Sequence, residues 1–105
     1  MNNYIVVFVT AKNKTEAKRI ARGLLKDRLA ACVNILAGVE SLFWWQGKID
    51  RGSEVLMIIK TKRKLFEKVM AKVKLLHSYQ TPEIIALPVV AGSWAYLKWI
   101  DESIL

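Results

Sequence analysis

Val39-Glu-Ser-Leu-Phe-Trp-Trp-Gln-Gly-Lys-Ile-Asp-Arg-Gly-Ser-Glu-Val-Leu-Met-Ile-Ile-Lys-Thr61 is the stretch whose reading decides the fold. Two β-rich runs flank Gln46-Gly47-Lys48, where glycine supplies the positive φ that a tight reversal demands, so the segment reads as a long β-hairpin. Its second arm is the informative one. Val55, Leu56, Met57, Ile58 and Ile59 are apolar without a break. Successive strand side chains point to opposite faces, so both faces of this strand must be hidden from water. One layer of helices hides only one of them.

Working outward from the hairpin, Tyr4 to Thr10 carries the same two-sided signature in Ile5, Val6, Val7, Phe8 and Val9, and reads as a second central strand. Asn13 followed by Glu16 resembles a capping box. Behind it Ala17, Ile20, Ala21, Leu24 and Leu25 recur at helical spacing, with Lys18, Arg19, Arg22 and Lys26 off that face. Ala30 to Ile35 turns extended, Gly38 marks a bulge or bend, and Val39 to Gln46 completes the first hairpin arm. Beyond the hairpin, Thr61 is expected to cap a helix that buries Phe66, Val69, Met70, Val73 and Leu76. Ile84 to Val90 reads as a strand, and Pro88, lacking a ladder donor, sends it to a sheet edge. Ser93 then caps a short closing helix over Trp94 to Glu102.

Strand, helix, strand, strand, helix, strand is the split β-α-β order of an α+β, ferredoxin-like βαββαβ sandwich, here with a long β-hairpin and a short C-terminal helix. The two halves, Ile5 to Ile35 and Val55 to Val90, look like a distant internal duplication. Residues 1–105 are expected to form one domain, without linker or low-complexity segment. A chain of 105 residues, 53% hydrophobic, is too apolar for disorder and falls far short of the roughly 18 consecutive apolar residues of a membrane span. The start, Met-Asn-Asn-Tyr-Ile, has no basic region or small-residue cleavage site, and Cys32 is the single cysteine. A reducing cytoplasm is the easier assignment.

With two helices on one side, the other sheet face stays apolar and open, and another copy of the chain is its simplest cover. Phe43, Trp44 and Trp45 lie on the far sheet edge, where unpaired backbone groups can extend a neighbour's sheet. Because Trp44 and Trp45 alternate faces, one is expected to pack within its own subunit and the other in the interface. Head-to-tail pairing of this kind closes into a ring or grows into a filament, so a small cyclic oligomer is expected.

Six runs of residues then carry a resemblance along nearly the whole chain. They are Arg28-Leu-Ala-Ala-Cys-Val-Asn-Ile35, Phe43-Trp-Trp-Gln-Gly-Lys-Ile49, Glu54-Val-Leu-Met-Ile-Ile-Lys-Thr61, His77-Ser-Tyr-Gln-Thr-Pro-Glu-Ile84, Ala86-Leu-Pro-Val89 and Tyr96-Leu-Lys-Trp-Ile100. The chain closely resembles the CutA family of divalent-cation tolerance proteins. That resemblance implies a homotrimer similar in architecture to the PII signalling proteins, with sheets facing inward and clefts between subunits. It implies a link to divalent-metal tolerance, copper binding in some members, and no attached enzymatic reaction.

Some bacterial members of that family have a cysteine before the Thr-Ala that ends the first strand and a His-His pair later. Here Val9 and Leu76 replace the cysteine and the first histidine. His77 therefore stands as the metal candidate, with Glu83 and Cys32 as helpers, since soft copper sites combine imidazole and thiolate. Ser78 occupies a position where the family usually has proline. Each candidate also has an ordinary structural reading. His77 follows a helix C-terminus, where it can cap or be solvated. Cys32 can be a small core residue. Glu83 can hold the loop Tyr79 to Pro82 or line a cleft.

Two further classes remain. Thr10, Lys12, Lys60, Lys62 and Tyr79 cluster at strand ends in the expected topology and suit a small anion or nucleotide, as in a PII-like sensor. No glycine-rich phosphate loop accompanies them. The net charge of +8 is a nucleic-acid footprint. The RNA-recognition module on this fold, however, stacks bases on aromatics of the two central strands, and Val55 to Ile59 has none. The lysines read instead as solvated helix faces mixed with Glu16, Asp27 and Glu67, and no nucleic-acid or membrane partner is expected. Nor do one histidine, one cysteine and scattered carboxylates assemble a nucleophile, base and orienting group.

Overall fold

The computed structural model describes residues 3–105, so Met1 and Asn2, which belong to the start read above for a leader, lie outside it. The order is β1 (Tyr4–Ala11), α1 (Lys14–Lys26), β2 (Cys32–Trp45), β3 (Lys48–Lys62), a 3-10 turn (Arg63–Leu65), α2 (Phe66–Leu76), β4 (Ile84–Pro88) and α3 (Trp94–Ser103). The four strands form one antiparallel sheet in the order β2-β3-β1-β4. The two continuous apolar runs, β1 and β3, are the central strands, and β4 with Pro88 is an edge, as their sequences require.

Parity divides the sheet. Ile5, Val7 and Val9 of β1 and Val55, Met57 and Ile59 of β3 point to the helix layer and are buried against Ile20, Leu24, Val69 and Val73. Their alternates, Val6, Phe8, Leu56 and Ile58, point to the other face and are only half-buried. Leu36 of β2 and Ile85 and Leu87 of β4 share that second face by register and are exposed. Only one end of it is covered, where α3 sends Asp101 to the Tyr4 hydroxyl and to Lys62.

The hairpin is built as its turn chemistry dictates. Trp45 pairs with Lys48 across a two-residue loop in which Gln46 and Gly47 both have positive φ, 50° and 77°, the geometry whose twist matches the strands. Between Leu36 and Val39 one extra residue enters β2, with Gly38 at φ 78°. Beyond this bulge the hairpin runs past the helices. Trp44 and Trp45 are 74% and 58% exposed, so neither packs within its own chain, contrary to the alternation argument.

Thr61 does not cap α2. It continues β3, its side chain on the core side with Ile59, and its hydroxyl donates to the Leu29 carbonyl at 2.7 Å. The period-two pattern of Val55, Met57, Ile59 and Thr61 outweighs the local capping preference, and the helix starts through the 3-10 turn with no side-chain cap. Ser93 does cap α3, accepting from the Tyr96 N–H, and Asn13 caps α1, accepting from the Glu16 N–H.

Replacing Thr61 by valine keeps the shape and removes the donor, leaving the Leu29 carbonyl without that partner. Chemical denaturation should show Thr61→Val less stable than the parent by about 1–3 kcal/mol. Equal stability would show that the bond contributes nothing net.

Candidate functional site

The segment after α2 carries the residues that matter, and a buried carboxylate holds it in place. Glu16 shares a helical row with Ile20 and Leu24, so its side chain enters the core side of α1 and is 1% exposed. One oxygen accepts from the Lys12 N–H at 3.1 Å, the other from the Ser78 N–H at 2.9 Å. The carboxylate thus ties the β1–α1 loop to the segment that follows α2. This corrects the reading of Glu16 as a solvated partner of surface lysines. The capping-box partner also differs: Glu16 returns its bond to Lys12, one residue before the cap.

Burial pushes the Glu16 carboxyl upward. Hydrogen bonds from Ser78 and the Lys12 backbone more than offset this and hold it below its ordinary value.

His77 ends α2 with its backbone N–H on the Val73 carbonyl, while its side chain is fully buried. It is neither solvated nor a side-chain cap. Nε2 lies 2.7 Å from the Thr10 carbonyl and must donate to it; Nδ1 accepts from the Tyr79 N–H at 3.0 Å and faces a Glu16 oxygen at 3.8 Å. These partners select the neutral Nε2–H tautomer and use both ring nitrogens. The rings of His77 and Tyr79 lie 4.7 Å apart.

Tyr79 carries the network onward. β1 ends at the pair Ala11–Val55, leaving Glu54 without a β1 neighbour, and the Tyr79 hydroxyl donates to Glu54 at 3.0 Å. Burial and this bond push the Tyr79 hydroxyl up to about 12. Glu83 is exposed, with partial desolvation and then the charge of Glu54 pushing its carboxyl upward. Among the described residues Glu83 makes no side-chain bond to the loop, which Glu16 holds instead.

Cys32 lies elsewhere. Its register partner Lys60 puts it on the open sheet face, where Lys60 Nζ is 3.8 Å from its sulfur and also contacts Asn34 Oδ1, and where burial first, and then Cys32, pushes the Tyr96 hydroxyl of α3 upward. It is half-buried and outside the core, a placement set by a long-range register that a local reading cannot supply. His77 and Cys32 therefore do not meet within one chain. Among the described residues no three of His, Cys, Asp and Glu come close enough to hold a metal ion.

The anion candidates are also dispersed. Thr10 pairs with Leu56 and Val6 with Lys60, so Lys60 lies four residues, about 13 Å, along the sheet from Thr10. Tyr79 sits beyond the Thr10 end. A hollow of about 400 Å³ lies at the hairpin bulge, lined by Val39, Glu40, Arg51 and Ser53 among others, and includes none of the candidates.

A ferredoxin-like sheet with an overlong hairpin, an open apolar face and a histidine–tyrosine–glutamate chain at its strand ends defines a class of small α+β proteins. The CutA1 divalent ion tolerance protein family matches residues 5–103, and the chain belongs to that family. The chloroplastic protein CutA 1 of Oryza sativa is 46% identical over 99 residues, which cover 94% of this chain and 56% of that protein; this chain thus spans about half its length. The divalent-cation tolerance protein CutA of Archaeoglobus fulgidus is 47% identical over 104 residues, 99% of each chain. The crystal structure of CutA1 from Oryza sativa superposes with a TM-score of 0.95 at 45% identity, covering 98% of this chain and 94% of that one. The structure described as the periplasmic divalent cation tolerance protein CutA of Archaeoglobus fulgidus gives 0.93 at 46% identity, covering 95% and 97%.

The depressed Glu16 carboxyl makes a signed prediction. The unfolded chain takes up this proton as pH falls through about 4.5, before the folded chain does. Glu16 therefore stabilises fully above that value, and its contribution is lost as pH falls through the lower folded pKa. The stability of the parent, read by chemical denaturation, should fall over that acid window, and Glu16→Gln, already less stable at neutral pH, should show a flatter acid limb. An unchanged limb would show that Glu16 is not the group responsible. Separately, Glu54→Gln should bring the Tyr79 hydroxyl down from about 12, read as the difference between ultraviolet titrations with and without Tyr79→Phe.

Proposed function

We propose that the chain works as a homotrimer that binds divalent cations, copper first among them, in clefts between subunits beside His77. The action is binding and relay to a protein partner, with no chemical turnover. The observation that carries this reading is the uncovered apolar face: Val6, Phe8, Leu56, Ile58, Ile85 and Leu87 lie contiguous by register on the side opposite the helices. Covering it contributes about 25 cal/mol per Å², enough over a few hundred Å² to hold subunits together. Leu42, Phe43, Trp44, Trp45 and Ile49 are exposed on the hairpin and supply the rest of the interface.

Within one chain the groups at the His77 ring are the Thr10 carbonyl, the Tyr79 N–H and a Glu16 oxygen, and the ring has no free nitrogen. Binding at Nδ1 therefore displaces the Tyr79 N–H, and further ligands come from a neighbouring subunit's Glu83 or Cys32. The compartment proposed is the cytoplasm, on the single cysteine; the rice and Archaeoglobus relatives are named chloroplastic and periplasmic. No helix among the described residues is long and apolar enough to cross a membrane.

Calorimetric titration with Cu²⁺ tests the site. His77→Ala should bind at least about tenfold more weakly than the parent. Equal affinity in the two proteins removes His77 from the site. Light scattering on dilute protein should give three times the chain mass, and a folded single subunit would remove the clefts.

A further inference from the structure

The chain's net charge sits on one layer of the fold. α1 and the 3-10 turn with α2 hold ten of the seventeen lysines and arginines but only Glu16 and Glu67 of the nine acids. That difference accounts for the whole net charge of +8; the remainder of the chain balances, seven cations against seven acids. Of the two helix acids, Glu16 points inward and is buried. The outer surface of the helix layer is therefore more cationic than the count alone indicates.

The cations are also ordered. Lys14, Lys18, Arg22 and Lys26 recur every fourth residue of α1, all exposed. They form a row with steps of about 6 Å. Lys68 and Lys72 repeat the step on α2, Lys72 being shared with Asp27 of α1's C-terminus at 2.9 Å. Among the described residues none of the four on α1 makes an ion pair within 4.0 Å.

Helix stability does not account for this row. Like charges at i and i+4 repel, and Lys14 at the first position of α1 opposes the helix dipole, which favours only Lys26 in the last turn. An arrangement that costs the helix and finds no internal acid is complementary to an external polyanion.

We propose that the α1–α2 face binds the phosphate backbone of nucleic acid without sequence preference. A line of point charges at nucleotide-scale spacing matches a linear chain of phosphates. An anionic membrane fits less well, because the only large apolar side chains exposed on these helices are Leu25 and Leu75, and interfacial binding needs an apolar face to insert. The sheet takes no part, so this differs from the base-stacking mode of the RNA-recognition module. The face lies opposite the apolar sheet surface and needs neither self-association nor a metal.

Fluorescence anisotropy with labelled mixed-sequence DNA and RNA, single- and double-stranded, tests the proposal on the full chain. Micromolar binding is expected, independent of sequence, with about a hundredfold loss between about 50 and about 200 mM salt if four phosphates are neutralised. Replacing Lys14, Lys18, Arg22 and Lys26 together by glutamine should abolish binding, whereas Lys48→Gln with Arg51→Gln on the hairpin should not change it. If the quadruple variant loses its circular dichroism, the double variant Lys18→Gln with Arg22→Gln should still reduce the salt slope. No binding at low salt would make the face a solvated one and overturn the proposal. So would binding to vesicles of anionic phospholipid without binding to nucleic acid, or an unaltered salt slope in the variants.

Discussion

Two strands that are apolar on both faces, placed side by side, set the terms for the molecule. β1 and β3 pair over eight residues, from Tyr4–Lys62 to Ala11–Val55. Each gives one set of side chains to α1 and α2, where Val7, Val9, Met57 and Ile59 are completely buried. Their other set has no helices to meet except at the α3 end. A two-helix layer covers one side of a four-stranded sheet and no more, so the second apolar surface is a direct consequence of Val6, Phe8, Leu56 and Ile58.

The same geometry explains how the site is positioned. β1 is shorter than β3 at the Ala11 end, and the gap beside Glu54 is taken by Tyr79 from the segment after α2. That segment has little apolar content to anchor it. Glu16 does so instead, by accepting backbone bonds from both Lys12 and Ser78, and His77 adds bonds to Thr10 and Tyr79. A buried carboxylate with this many donors is inexpensive to desolvate compared with a bare one, which is why a charged residue can occupy a core row. Ser78 supplies to Glu16 a backbone N–H that proline could not.

Most of the architecture was legible because its signals are local: continuous apolar runs, helical spacing, the Gln46-Gly47 reversal, and Pro88 at an edge. The misreadings share one cause, a local preference judged without the partner strand or helix. Thr61 has the chemistry of a cap, but its parity with Met57 and Ile59 assigns it to the core face. Glu16 looks like a capping-box member at the surface, yet its four-residue spacing to Ile20 and Leu24 marked the buried row. Cys32 could not be assigned a face at all, since its neighbours Lys60 and Tyr96 are distant in sequence and the pairing that brings Lys60 close is set across the sheet. The candidate site was legible in His77 and Tyr79 as residue types. Its organiser was not, because the bonds of Glu16 join segments 62 residues apart.

Hairpin length and sheet order together constrain how this surface is closed. The two edges are unlike: β2 has 14 residues and exposes aromatics at its tip, whereas β4 has five and includes a proline. Unlike edges favour pairing of one copy's β2 with a different surface of the next, a head-to-tail contact that repeats until it closes. An isologous dimer through the open face would bury Phe8 and Ile58 but leave both hairpin tips, with Trp44 and Trp45, in water. The proposed closed ring would satisfy the face and the hairpin at once, and would leave the cationic helix layers pointing outward on every copy.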